Sequence, residues 1–257
     1  GTLDPNATGV LPVAAGGATR FIELLPTHRK AYKATFKTGV CTDTLDIWGQ
    51  IVSESGVKVS LSMVESAASF FKGEIMQLPP MYSALKKDGV RLYELARQGI
   101  EVEREKRKCE IYRLEVGEAE NGEYSLYCEC SAGTYIRTLI SDIGERLGSG
   151  AVMTSLERCY ACGIEISECF TLDEIREFAQ AGELEKVLIP LDKLLAEYPE
   201  IIVLDADLAK ATKTITFKKQ YPDRFIDCGI AEGNMIGVAA GLAACGNTVF
   251  ASSFSMK

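Results

Sequence analysis

Apolar and polar positions follow two rhythms along the chain, one of period two and one near 3.6, separated by stretches with neither. Residues 3–20 show neither, because Pro5, Gly9, Pro12, Gly16 and Gly17 punctuate them as a loop. Residues 32–40 alternate as a strand does, and a polar turn around Asp43 and Asp46 follows. Ser60 is a good N-cap, and Met63, Val64, Ala67, Ala68 and Phe71 recur behind it at helical spacing. Pro79 and Pro80 close that region. A short strand over 82–85, a turn at Asp88-Gly89 and a helix through Leu92 and Leu95 stopping at Gly99 are predicted next. Residues 124–130 read as a strand. Thr134 is then the predicted N-cap of a helix whose stripe of Ile136, Leu139, Ile140, Ile143 and Leu147 ends at Gly148. Another helix runs from near Thr171-Leu172 to about Gln180.

Up to about Pro199 strands and helices mix without regular βαβ alternation, which predicts an α+β fold. After Pro199 the texture changes. Strands are predicted over 201–204, 225–227 and 248–254, with a small-residue helix over 232–245 closed by Gly246. That strand–helix–strand order belongs to a partial, parallel α/β fragment. Too little chain follows to cover such a sheet, so Ile236, Val238 and Leu242 are expected to stay exposed and aggregation-prone.

Composition adds bounds. An apolar share of 47% with 25% charged residues is that of a globular chain with a real core. No apolar run reaches bilayer length and no signal-peptide pattern opens the chain, so a cytoplasmic protein without membrane contact is expected. The opening Gly1-Thr2-Leu3 lacks a Met, which suggests missing upstream sequence. The net charge of −8 argues weakly against a nucleic-acid partner, since local patches decide binding. Lys86, Lys87, Arg91, Arg97, Arg104, Lys106, Arg107 and Lys108 form one cationic stretch. Glu94, Glu101, Glu103 and Glu105 lie among them, so a solvated mixed surface is expected. The nine cysteines are scattered as reduced thiols would be. Cys159-x-x-Cys162 with Cys169 is half a zinc pattern, but no second ligand pair exists and His28 is the sole histidine, so no metal is expected.

Three residue types could carry chemistry. Asp4, held extended before Pro5, is either an ordinary turn aspartate or a side chain presented from a stiff loop. Arg137 falls at the third position of the helix capped by Thr134, where the dipole favours an anion. Either a structural salt bridge or a partner aspartate at a site would account for it. Tyr32 and Tyr135 are each either core tyrosines or faces for stacking a base. These residues do not by themselves choose a reaction.

Residues 1 to about 198 resemble the tRNA pseudouridine-55 synthases of the TruB family. The matching blocks, in order, are GTLDPNATGVLPV, KAY, TDTLDIWG, PPMYSALKKDGVRLYELARQGIEVER and GTYIRTLISDIGERLG. The resemblance implies a catalytic core with a mixed, mainly antiparallel sheet, acting as a monomer on the TΨC arm of tRNA. It implies Asp4 as nucleophile, Arg137 as its ion-pair partner and Tyr32 as the tyrosine stacking on the target base. Tyr135 and Leu156 match the other base-pocket positions, and Lys30 lies with Tyr32 as a substrate contact. No cofactor is implied, because a carboxylate nucleophile can isomerise a uridine covalently. The family's segment before GTLDP, with a strand and a histidine, and its C-terminal RNA-binding PUA domain have no counterpart here.

Residues from about 200 resemble the pyrimidine-binding domain of transketolase-like thiamine-diphosphate enzymes, through IIVLDADLAKATKT and YPDRFIDCGIAEGNMIGVAAGLAACGNTVFASSFSMK. Glu232 matches the glutamate that contacts the cofactor there, although a helix-N-terminal glutamate is favoured by the dipole alone. The Gly-Asp-Gly metal motif of the partner domain does not occur in the sequence, so no thiamine site is expected. A domain over 1–198 and a second over 199–257 therefore meet near Pro199, as in a chimeric gene. An RNA-modifying isomerase is the favoured function; a transketolase fragment and a non-catalytic RNA-binding relic are the alternatives.

Overall fold

The computed structural model describes residues 2–15, 19, 28–189, 200–212 and 214–253. The described residues fall into two units, one of 2–13 with 28–169 and one of 14–15, 19, 170–189, 200–212 and 214–253.

In the first unit the elements run β1 (Thr8–Gly9), β2 (Arg29–Thr38), β3 (Val40–Thr42), β4 (Ile51–Glu54), α1 (Leu61–Ser69) and β5 (Gly73–Gln77). They continue with β6 (Lys86–Lys87), β7 (Val90–Arg91), α2 (Leu92–Arg97), β8 (Arg107–Glu118), β9 (Tyr124–Ser131), α3 (Ile136–Leu147), β10 (Ala151–Ala161) and β11 (Ile164–Glu165). The main sheet has the order β1-β10-β2-β9-β8-β5, with β11 also on β10. Only β1 joins in parallel, so the expected mixed, mainly antiparallel sheet is present. Alternate residues Tyr32, Ala34 and Phe36 of β2 turn inward with Leu126, Cys128 and Cys130 of β9. The predicted stripes Val64, Ala67, Ala68 of α1 and Ile136, Leu139, Ile140, Ile143 of α3 complete that core. A Cβ on Gly144 would collide with the Gly150–Ala151 backbone, so α3 lies against the start of β10 only because glycine stands there.

Two local expectations are corrected. The N-cap of α3 is Tyr135, with Arg137 at the second helical position. Thr134 instead donates its hydroxyl to the Ser131 carbonyl at 2.9 Å. The buried Gln77 side chain anchors the N-cap residue itself, accepting from the Tyr135 N–H at 3.0 Å and donating to its carbonyl at 3.3 Å. Residues 82–85 form no strand. The Tyr82 carbonyl accepts from Arg137 and the Ser83 carbonyl from the Tyr93 N–H, so this backbone serves the site and α2. The pairing lies just beyond, where Lys86–Lys87 meets Val90–Arg91 around the predicted Asp88-Gly89 turn.

Asp142, half-buried on α3, gives a test of this packing. Burial pushes its carboxyl up to about 6, Glu145 adds repulsion, and Lys106 opposes both. Its folded-state pKa thus lies above the unfolded value of about 4, and the native state holds a proton that the unfolded chain releases. That contribution to stability is present below about pH 4 and is lost as pH rises through about 6. Asp142→Asn should therefore raise the melting temperature near pH 7.5 and give little gain near pH 4. A gain that does not shrink in acid would remove burial as the cause.

The second unit contains α4 (Leu172–Gln180), whose N-cap Thr171 forms a reciprocal capping box with Glu174. Then come β12 (Ile201–Asp205), α5 (Ala209–Thr212), α6 (Ile215–Gln220), β13 (Phe225–Asp227), α7 (Glu232–Ala244) and β14 (Thr248–Ser252). The three strands form the expected parallel sheet, in the order β13-β12-β14. The expected exposure along α7 is corrected in part: Val238 and Leu242 pack with Met235 onto Leu204 and Ala206, while Ile236 is 60% exposed. The predicted end of the last strand, at 254, lies outside the described residues.

Candidate active site

Asp4 sits just ahead of a turn closed by the Ala7 N–H donating to the Asp4 carbonyl at 2.9 Å. The loop then joins β10 in parallel at Thr8–Gly9, and the Val10 N–H donates to the Arg158 carbonyl at 2.8 Å. Gly9 has φ +106°, and a Cβ there would strike the Arg158 backbone, so only glycine permits the approach.

Arg137 is 5% exposed and converges on this loop. Its Nε lies 2.7 Å from Asp4 Oδ2 and its Nη2 donates to Asp4 Oδ1 at 3.1 Å, a bidentate pair. The same guanidinium donates to the carbonyls of Thr44 at 2.9 Å and Tyr82 at 2.8 Å, and lies 3.6 Å from Asp46 Oδ2. Two carboxylates and two carbonyls thus offset its unfavourable place in the first turn of α3. The Asp4 side chain remains 36% exposed, so the carboxylate is oriented from behind and open in front.

Asp46 was read from sequence only as a turn residue. Its Oδ1 accepts from the Thr44 hydroxyl at 2.6 Å and the Trp48 N–H at 3.2 Å. Leu45 before it adopts φ +65°, a strained conformation for a leucine. The loop is held there by β10: the Met153 N–H donates to the Leu45 carbonyl and the Ile47 N–H to the Met153 carbonyl.

Tyr32 is 8% exposed on β2, directly across from Arg158 of β10. Burial pushes its phenol up to about 12, with the Arg158 charge pulling the other way and the Asp4 charge adding to the rise. The ring therefore stays neutral at working pH. Tyr135 is half-buried, and its phenol is raised by burial while Ser83, Arg107 and Arg137 oppose. Leu156, 8% exposed, faces Ala34 across the same strand pair. Lys30 lies two residues before Tyr32 on β2, its amine lowered first by burial and then by Arg158. Glu232 belongs to the second unit, where its Oε1 accepts from the Ser253 hydroxyl at 3.4 Å.

Asp4, Arg137 and the overlooked Asp46 are thus brought together, with Tyr32 and Tyr135 close enough to feel the Asp4 charge. A hollow of about 650 Å³ lies on the same sheet, lined by Lys33, Thr35, Tyr127, Ser155 and Leu156 among others, but it includes neither Asp4 nor Arg137. The converging ion pairs thus lie apart from the hollow. Among the described residues no three His, Cys, Asp or Glu side chains gather as a metal site.

The model of the TruB family pseudouridylate synthase N-terminal domain matches residues 1–136, and that of the tRNA pseudouridylate synthase B C-terminal domain matches 137–196. A tRNA pseudouridine synthase B of Clostridium kluyveri is 41% identical over 220 residues, covering 86% of this chain and 75% of that protein. This chain belongs to the TruB family. Its likeness to the TruB-family relative of Geobacter sulfurreducens is 46% over 196 residues, 76% of this chain and 64% of that one. Among solved structures, a Cbf5-Nop10-Gar1 complex matches with a TM-score of 0.60 at 27% identity over 83% of this chain. A substrate-RNA-bound H/ACA RNP matches at 0.56 and 25%. This TruB-family chain spans 57% and 56% of those solved chains. A further model, of the transketolase pyrimidine-binding domain, matches 189–256, so the two family signals overlap only over 189–196.

Proposed function

We propose that this chain converts a uridine of the TΨC arm of tRNA to pseudouridine, with Asp4 as nucleophile. The observation that carries this is a carboxylate gripped on both oxygens by a buried arginine yet open to solvent. The reaction breaks the bond from sugar to base nitrogen, turns the base and rejoins it through carbon. The proton leaving that carbon is balanced by one gained at the freed nitrogen, so the product is an isomer. A positioned carboxylate can carry this covalently, without metal or cofactor. Arg137 holds it in register, and Asp46 braces Arg137 from the other side. The target base must leave its stack, and the neutral Tyr32 ring is the face that receives it, with Tyr135 and Leu156 completing the pocket and Lys30 near its edge. One copy supplies all these groups, so the chain acts as a monomer. Among the described residues no helix is long and apolar enough to cross a membrane.

Residues 1–198 carry this activity and 199–257 form a separate module, supported by the parallel sheet and the separate family match of that segment. The test is pseudouridine formation in unmodified tRNA by the intact chain and by a chain ended after Glu200. Both should modify a single uridine in the TΨC arm. No conversion by the intact chain would remove the reading, and conversion lost on the cut would make 201–257 a working part.

A further inference from the structure

Among the described residues Arg158 is the largest side chain buried to within 2% exposure, and it sits against the aspartate loop. Its Nε donates to the Val10 carbonyl at 2.8 Å and its Nη1 to the Thr2 carbonyl at 3.4 Å, so one side chain fastens the loop on both flanks of Asp4. Its backbone carbonyl accepts from the Val10 N–H, and it faces Tyr32 across the β10–β2 pair, two residues beyond Leu156 on the same strand. None of the ion pairs among the described residues involves Arg158, and its polar neighbours are the loop carbonyls and the Tyr32 phenol, on which it acts by charge and hydrogen bonding.

A buried guanidinium without a carboxylate is a poor stabiliser, because its desolvation is not offset by an opposite charge. A side chain there for packing alone would do better as a methionine. What the arginine supplies is a rigid planar fork reaching two carbonyls at once, which neither methionine nor lysine can. We infer that Arg158 is a positioning residue that fixes the Asp4 loop relative to the Tyr32 ring, and so sets how nucleophile and stacked base meet. It touches neither substrate nor reacting atoms and acts through Asp4 and Tyr32. The inference rests on the function proposed above and deepens it, since neither the family matches nor the motif blocks give Arg158 a role.

The experiment compares wild type, Arg158→Lys and Arg158→Met. It reads the single-turnover rate of pseudouridine formation on saturating T-arm RNA hairpin, hairpin affinity by fluorescence anisotropy, and the melting temperature. Lysine keeps the charge and can reach one carbonyl; methionine keeps the volume and reaches none. A displacement of about 1 Å at reacting groups can slow a step roughly a hundredfold, so Arg158→Lys should lose about ten- to a hundredfold in rate and Arg158→Met more. Hairpin affinity should stay within about threefold, because phosphate contacts dominate it. The melting temperature of Arg158→Lys should stay within a few degrees of wild type. If Arg158→Met fails to fold, Arg158→Lys alone decides. A wild-type rate in Arg158→Lys, or a rate loss matched by lost affinity or lost folded protein, overturns the inference and leaves the function standing. A wild type that binds the hairpin and forms no pseudouridine overturns the function, and this inference with it.

Discussion

Asp4→Asn abolishes pseudouridine formation while the affinity for tRNA stays within about threefold of wild type, as expected where phosphate contacts dominate binding. The amide has nearly the shape of the carboxylate but is no nucleophile. It also turns one acceptor into a donor facing the Arg137 guanidinium, whose Nε and Nη2 both point at Asp4. The variant therefore loses the covalent step and half of its oriented hold, yet nothing that meets RNA phosphate. Pseudouridine in the TΨC arm is read by mass spectrometry after digestion of the tRNA, beside a binding titration of the same preparation. Turnover retained in Asp4→Asn would sink the assignment of the nucleophile.

Arg137→Ala brings the second large effect, on activity and stability together. Two carboxylates and two backbone carbonyls converge on this one side chain. Removing one partner of a buried, hydrogen-bonded charge cluster costs about 3–5 kcal/mol, because the remaining groups stay unpaired. Asp4 and Asp46 would then repel across the space the guanidinium filled. The loss of rate should exceed that of any substitution among Lys86 to Lys108, several of which are solvated. Tyr32→Leu belongs to the same experiment: it removes the stacking face, worth about 1–3 kcal/mol per base. Single-turnover rates and thermal melts separate the two, since Arg137→Ala should lower both and Tyr32→Leu mainly the rate. Wild-type rates in both would mean that the base pocket lies elsewhere.

Elements with unbroken periodicity were legible in the sequence. The stripes of α1 and α3, the strand β9 and the parallel unit after residue 200 all stand within a few residues of where pattern places them. The two longest omissions, β8 and β10, have a physical cause. β8 carries a register shift between Ile111 and Arg113, and β10 carries two, between Met153 and Ser155 and between Arg158 and Tyr160. Each bulge slips the inward face by one residue, so period-two alternation is cancelled in the sequence while the strand continues in space. Ala151, Val152 and Met153 are moreover buried in succession, which erases alternation altogether.

The candidate site was legible only through the family blocks. Asp4 and Arg137 are 133 residues apart, and no local rhythm reports such a pairing. Asp46 was hidden by being a good turn residue as well, and its place beside Arg137 is set by the Leu45–Met153 contact with β10. Arg158 lies next to Glu157 in a stretch without clean alternation, so nothing local in the sequence marks it as buried.

The Gln77 side chain that anchors Tyr135 at the start of α3 bears on the order of assembly. An N-cap within the helix's own sequence is available as soon as the segment begins to coil. Here the residue that starts α3 is anchored by a side chain 58 positions earlier, carried on the edge strand β5. Arg137 stands in that first turn and must then find a loop 133 residues away. Closures over such separations are among the slow steps of folding, because chain entropy is lost before the contacts that offset it are made. The Asp4–Arg137 pairing is therefore expected to form late in folding. A nascent or refolding chain can show full α3 helicity in its later turns while Asp4 is still unheld, and competence arrives only with closure of the sheet.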